Sequence, residues 1–173
     1  MFGSGMIPQP SKSDLMQAGP VIHDPRRVFL LPGELHATGD RCEITTILGS
    51  CVAVCLWDSS LRAGGMNHFL LPGSPEGTER SLRFGDVAIQ ELLHKVYSLG
   101  CQRKTLVAKL FGGAALWQPE GRYVNSLGAR NVETSQRLVK HCGIHLVAQD
   151  TGGNYGRKII FDTDDGSAWV RRV

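Results

Sequence analysis

The stretch Thr45–Pro72, TTILGSCVAVCLWDSSLRAGGMNHFLLP, decides how the rest of the chain is read. A β-branched apolar run turns at Gly49-Ser50 and presents Cys51 at the head of a second run, VAVCLWD, whose residues favour strands. A third run, GGMNHFLLP, follows the polar break Asp58-Ser59-Ser60. Two apolar runs on either side of such a break predict a β-hairpin. With Ser59 and Ser60 as the turn residues, Asp58 faces Leu61 and the ladder sets Cys51 opposite His68, where facing Cβ atoms lie about 4.5–5.5 Å apart. Gly64-Gly65 is a candidate bulge that would shift this register, and a slip of one residue would send the two side chains to opposite faces.

A lone cysteine in an apolar strand is by default a small buried hydrophobe, and a histidine beside Phe69 a hydrogen-bonded core residue. Their coincidence argues for more. Cys51 directly follows Leu48-Gly49-Ser50, a tight turn able to aim backbone N–H groups at a bound oxygen, and His68 stands at the matching height on the returning strand. The pair is a candidate cysteine-histidine nucleophile, with the backbone around Gly49 and Ser50 as candidate oxyanion donors.

Composition bounds the alternatives. The chain has 173 residues, 42% apolar and 20% charged, which predicts a soluble globular protein with a real core. Its net charge of +3 is small and its acidic residues are interspersed, which does not suggest nucleic acid as a partner. The short clusters Arg157-Lys158 and Arg171-Arg172 read as solvated strand ends. No apolar run approaches the ~18 residues of a membrane span, and MFGSGMIPQPSKSD lacks the pattern of a secretory signal, so a cytoplasmic location is expected. Cys42, Cys51, Cys55, Cys101 and Cys142 are expected to be free thiols. The histidines show no ligand spacing that combines with Cys51 and Cys55, and neither a G-x-G-x-x-G opening a helix nor a Walker loop is present; no metal and no cofactor are expected.

Residues 1–24, rich in Gly, Pro, Ser and Met, read as a mobile arm, and 25–173 as one domain. Strands are expected at Val28–Leu31, Glu43–Leu48, the two hairpin arms, Lys104–Phe111, Ile144–Ala148, Lys158–Phe161 and Ala168–Val173. The loop Pro72–Arg80 leaves the strand that carries His68 and is placed to overhang the cysteine. Helical periodicity starts with Asp86 as N-cap and stops at Gly100, and a second helix spans about Asn131–Cys142. Seven or eight strands with two inserted helices predict an α+β layered fold rather than a doubly wound parallel sheet.

The motifs TTILGSCVAVCLWD (Thr45–Asp58), GGMNHFLLP (Gly64–Pro72), AKLFGGAAL (Ala108–Leu116), LGARN (Leu127–Asn131) and DTGGNYGRKIIF (Asp150–Phe161), with PGE at Pro32–Glu34, resemble the CheD family of chemoreceptor glutamine deamidases. The resemblance covers about residues 28–173. It implies a catalytic cysteine at Cys51, a histidine at His68 and a threonine at Thr45, six residues before the cysteine, whose hydroxyl would orient the histidine. One departure is Leu116-Trp117, where the family carries a methionine. The implied fold is a layered β-sandwich with helices outside, similar to the deamidase domain of cytotoxic necrotizing factor toxins. The implied function is cysteine-dependent hydrolysis of receptor glutamine side chains to glutamate, with glutamyl methyl esters as possible further substrates. The implied partners are chemoreceptor helices and a CheC-type phosphatase. Two other functions fit the residues: a non-catalytic module that binds receptors or the phosphatase, and a thiol hydrolase for small amides or esters.

Overall fold

The computed structural model describes residues 25–116 and 125–173. The proposed arm, residues 1–24, and Trp117 lie outside them.

The hairpin forms from β4 (Val52–Asp58) and β5 (Ala63–His68), but its turn has four residues, Ser59–Arg62. Asp58 builds that turn: its Oδ1 accepts from Ser60 N at 2.9 Å, Leu61 N at 3.3 Å and Ser60 Oγ at 2.7 Å. Arg62 closes it with φ +50°. Two extra turn residues move the register by two, so Asp58 pairs with Ala63 and Cys55 with Met66. Gly64-Gly65 introduces no bulge, since Leu56–Gly65 and Trp57–Gly64 continue the same register.

Around the hairpin, five strands order as β2-β5-β4-β6-β7, where β2 is Glu34–Thr38, β6 is Leu106–Gly112 and β7 is His145–Thr151. A second sheet orders as β1-β3-β8-β9, from Arg26–Phe29, Cys42–Leu48, Arg157–Asp162 and Ala168–Arg172. The β1–β3 and β6–β7 pairs are parallel and the others antiparallel. The fold is therefore α+β, with nine strands and two helices among the described residues. β2 was not expected from the sequence, because ELHAT is short and has no apolar run; it forms by adding to the far side of β5.

Strand β4 is buried on both faces, and its alternation divides the core. Val52, Val54 and Leu56 face the helices, where they meet Leu92, Val96 and Val139. Ala53 and Cys55 face the second sheet, where they meet Ile44, Leu48, Ile159 and Phe161. Burying each large aliphatic or aromatic side chain contributes roughly 1.5–3 kcal/mol, so both layers are stabilised through this one strand.

Helix α1 (Gly85–Ser98) starts two residues earlier than an N-cap at Asp86 would give. Phe84 is the N-cap, while Asp86 lies in the first turn and accepts from Ser74 N and Ser74 Oγ at 3.1–3.2 Å. This ties part of the Pro72–Arg80 loop to the helix start. Helix α2 (Leu127–His141) begins four residues before the expected start, because Ser126 caps it by accepting from Ala129 N at 3.0 Å. No helix among the described residues is long and apolar enough to cross a membrane.

Candidate active site

Beyond Cys55–Met66 the regular ladder pauses and closes once more at Val52 and Phe69, which exchange both main-chain bonds at 3.1 and 3.0 Å. In between, the Asn67 side-chain Oδ1 takes the Val54 N–H at 2.9 Å, standing in for a main-chain carbonyl. This register sets Cys51 opposite Leu70 and His68 opposite Ala53. The expected direct opposition of Cys51 and His68 is thus corrected to a diagonal one. A shift of two keeps both side chains on the same face, where diagonal neighbours stand about 7–8 Å apart at Cα and remain within reach of long side chains. That face looks into the gap between the sheets: Cys51 is half-buried against the core cluster of Met66 and Phe111, and His68 is 2% exposed.

Across the gap, His68 Nδ1 lies 2.8 Å from Thr46 Oγ1. The Thr46 hydroxyl donates to the Leu30 carbonyl at 2.8 Å. A hydroxyl has one proton and a carbonyl only accepts, so Thr46 Oγ1 must accept from His68 Nδ1–H. Nε2 then carries the lone pair, and it has no hydrogen-bond partner among the described residues. The ring is thereby held with the nitrogen not bound to threonine free to accept a proton.

The threonine on His68 is Thr46, its neighbour Thr45 being the one the resemblance implies. Successive strand residues point to opposite faces. Thr45 stands in a cross-strand row with Phe29, Ile160 and Trp169 on the outer face of the second sheet.

Burial sets the charge state of the pair. It pushes His68 down to about 4, against the pull of the Leu30 carbonyl and the Glu34 carboxylate. It also raises the Cys51 thiol above its ordinary value of 9.0, partly offset by a hydrogen bond from the cysteine's own backbone N–H. At neutral pH the site rests as thiol and neutral imidazole.

The turn before Cys51 is fixed at three successive carbonyls. Gly49 O accepts from Ala114 N at 2.8 Å and Cys51 O from Gly113 N at 2.8 Å. Ser50 O accepts from Asn131 Nδ2 at 2.9 Å. The approach requires glycine: a Cβ on Gly112 would lie 2.3 Å from Cys51 O, and φ is +102° there and +69° at Gly113. This glycine pair is supported in turn by Gly152 N to Gly112 O at 2.9 Å and by Ala115 N to Gly153 O at 2.8 Å.

Arg157 holds that support. It is 1% exposed, binds Asp150 through Nε at 2.9 Å and Nη2 at 2.8 Å, and donates from Nη1 to Gly152 O at 2.8 Å. The solvated strand end expected at Arg157 is corrected to a buried, fully engaged guanidinium, because β8 turns this residue inward beside Ile159 and Phe161. A cleft of about 240 Å³ opens next to the turn, lined by Ser50, Ala114, Ala115, Leu116, Ser126, Leu127 and Gly128.

Thr46, Asn131 and Arg157 are not among the candidate site residues that the sequence offers. A signal existed for Asn131: it falls in step with Ser135 and Val139 on the buried face of α2, where a polar residue needs a partner. The five cysteines are free, and among the described residues no group of three or more His, Cys, Asp or Glu is arranged to hold a metal ion.

The model of the family described as CheD chemotactic sensory transduction matches residues 70–172, which include Asn131, the glycine pair and Arg157. A probable chemoreceptor glutamine deamidase CheD 1 of Anaeromyxobacter dehalogenans is 46% identical over 147 residues, 85% of each chain. The protein named probable chemoreceptor glutamine deamidase CheD in Trichlorobacter lovleyi is 45% identical over 85% of this chain and 91% of its own. The protein of the same name in Rhodospirillum rubrum is 44% identical over 88% and 86%. An α+β protein with a cysteine and a histidine on one face of a hairpin, this chain belongs to the CheD family.

Proposed function

We propose that the chain is a cysteine-dependent protein-glutamine deamidase acting on chemoreceptor helices in the cytoplasm. The observation that carries this reading is the setting of His68: Nδ1 lies 2.8 Å from Thr46 Oγ1, and Nε2 is bare on the face that Cys51 shares. The relatives' names supply the substrate class. A likeness to the toxin deamidase domain is proposed from the sequence motifs, and two sheets with two helices are what such a layered fold requires.

In the proposed reaction, His68 Nε2 takes the thiol proton as Cys51 Sγ attacks the side-chain carbonyl carbon of glutamine. The carbonyl oxygen becomes an oxyanion, for which the backbone N–H groups of Ser50 and Cys51 are the candidate donors. When the tetrahedral species collapses, the C–N bond breaks and His68 Nε2–H protonates the departing nitrogen as ammonia. Water then attacks the thioester and gives a proton to Nε2. The C–S bond breaks, the proton returns to sulfur, and the product is glutamate. Thr46 orients the imidazole throughout. Burial keeps both groups neutral until substrate arrives, so proton transfer accompanies attack instead of preceding it.

The same acyl steps hydrolyse a glutamyl methyl ester, with methanol leaving in place of ammonia. A CheC-type phosphatase is proposed as a regulatory partner. The test is mass spectrometry of receptor cytoplasmic fragments incubated with the protein. Amide-to-acid exchange at glutamines is expected with wild type and not with Cys51→Ala. Exchange that persists in the variant overturns the nucleophile, whereas stable receptor binding with no exchange identifies a binding module. Turnover of small amides alone identifies the other hydrolase.

A further inference from the structure

Asn131 reaches Cys51 from the far side of the sheet. Its side chain is 0% exposed, and Nδ2 donates to Ser50 O at 2.9 Å and to Leu70 O at 2.8 Å. Both acceptors are carbonyls, which only accept, so the amide can stand in one orientation only. Ser50 and Leu70 flank the cysteine on the two arms of the hairpin: Ser50 precedes it in the chain and Leu70 faces it in register.

The consequence follows from peptide geometry. In a trans peptide the C=O and N–H of one unit point in opposite directions. The carbonyl of the Ser50–Cys51 unit is held toward α2 by Asn131, so the N–H of that unit, which belongs to Cys51, points away from α2. The sulfur is on that side, since Cys51 packs against the core cluster between the sheets and its own N–H hydrogen-bonds the thiol.

We infer that Asn131 is a positioning residue for the oxyanion donor: by fixing the Ser50–Cys51 peptide plane it keeps the Cys51 N–H aimed at the oxygen that forms on attack. This rests on the deamidase reading for its substrate but not for its geometry. Neighbouring contacts fix the rest of the turn and leave this one peptide to Asn131. Gly49 O and Cys51 O are taken by the main-chain amides of Ala114 and Gly113, which no side-chain change removes. The Ser50 carbonyl depends on a side chain.

The inference separates two reactions of the same sulfur. Alkylation by iodoacetamide is a displacement at saturated carbon and forms no oxyanion. Acylation by p-nitrophenyl acetate passes through a tetrahedral oxyanion, as deamidation does. In Asn131→Ala, kcat for deamidation and the acylation rate of Cys51 are expected to fall about 10²-fold, as when an oxyanion donor is lost. KM and the alkylation rate of Cys51, followed on its own peptide by mass spectrometry, should stay close to wild type. Equal losses in acylation and alkylation would mean a general collapse of the site and would overturn the inference, as would no loss in either. Asn131→Ser, which keeps one short donor, should fall between. In wild type, a peptide aldehyde forming a hemithioacetal on Cys51 should move the Cys51 amide proton downfield in NMR, and an unmoved proton overturns the inference whatever the variants' stability. If wild type deamidates no receptor, the function fails, yet the ratio of acylation to alkylation still decides the role of Asn131.

Discussion

Thr46 and His68 meet across the gap between the two sheets, Oγ1 to Nδ1 at 2.8 Å, so the imidazole's tautomer is set by a strand of the other sheet. Neither sheet fixes the orientation of the ring without the other. Thr46→Val should leave Nδ1–H and the Leu30 carbonyl unpaired, costing about 1–3 kcal/mol of stability. It should lower kcat between roughly 10- and 10²-fold, within the contribution of a positioned base. Thr45→Val, on the outer face, should change stability by no more than about 0.5 kcal/mol and leave turnover as it was. Denaturant melts and single-turnover assays of the two variants check this, and the reverse ranking would return the orienting role to Thr45.

The depressed His68 pKa predicts how stability and rate follow pH. The unfolded chain binds a proton at His68 below 6.5 and the folded chain only below about 4, so unfolding takes up protons between these values. Stability conferred by the neutral ring is therefore present above 6.5 and is lost as pH falls through about 4. His68→Gln should flatten this part of the pH–stability curve. Because the base is already neutral at pH 5, the acid limb of kcat/KM should lie below the ordinary histidine range.

Thiol reactivity should run the opposite way from that of a cysteine resting as an ion pair. Burial raises Cys51, so its alkylation at pH 7 is expected to be slower than that of a free cysteine and to climb with pH beyond 9.0. A plateau already reached near pH 7, read by peptide-resolved iodoacetamide labelling, would show a preformed thiolate instead.

Asp58 should control a separate and more acidic transition. Burial pushes its carboxyl up, but bonds from Thr105, Ser60 and the Gln102 amide outweigh this and hold it down to about 2. The stability it gives is complete above the ordinary value of 3.8 and disappears as pH falls through about 2. Asp58→Ala cuts the tie between the hairpin turn and the approach to β6 and should cost about 3 kcal/mol, given several bonds to a charged group. The melt should lose its lowest-pH step while keeping the one that belongs to His68.

Asp150→Ala leaves the Arg157 guanidinium buried without its carboxylate. The loss should be about 3 kcal/mol, at the low end for a broken buried pair because Asp150 itself is partly in water. Deamidation should fall further than stability alone explains, since Gly152 and Gly153 support the glycine pair behind Cys51. Equilibrium denaturation beside kcat under fully folded conditions separates the two effects.

The hairpin, the two helices and most strands were legible because they rest on local signals: apolar runs, turn residues and helical spacing. β2 was not, because its residues carry no apolar period and its place comes from the open edge of β5. The face shared by Cys51 and His68 was legible, but not their diagonal offset, which depends on Asp58 drawing four residues into the turn. Arg157 looked like a surface charge because its partners, Asp150 and the Gly152 carbonyl, define burial only once the loop between β7 and β8 has folded back. Thr46 and Asn131 act through the second sheet and the second helix, at distances in sequence that no local pattern spans.

The sulfur and the ring belong to one short hairpin, yet what aims them is spread from Leu30 to Arg157. During synthesis, Cys51 and His68 leave the ribosome long before Asn131 and Arg157 are made. Under the proposed mechanism a nascent or truncated chain thus carries both groups without what aims them, and acyl chemistry would begin only when the last strands close behind it.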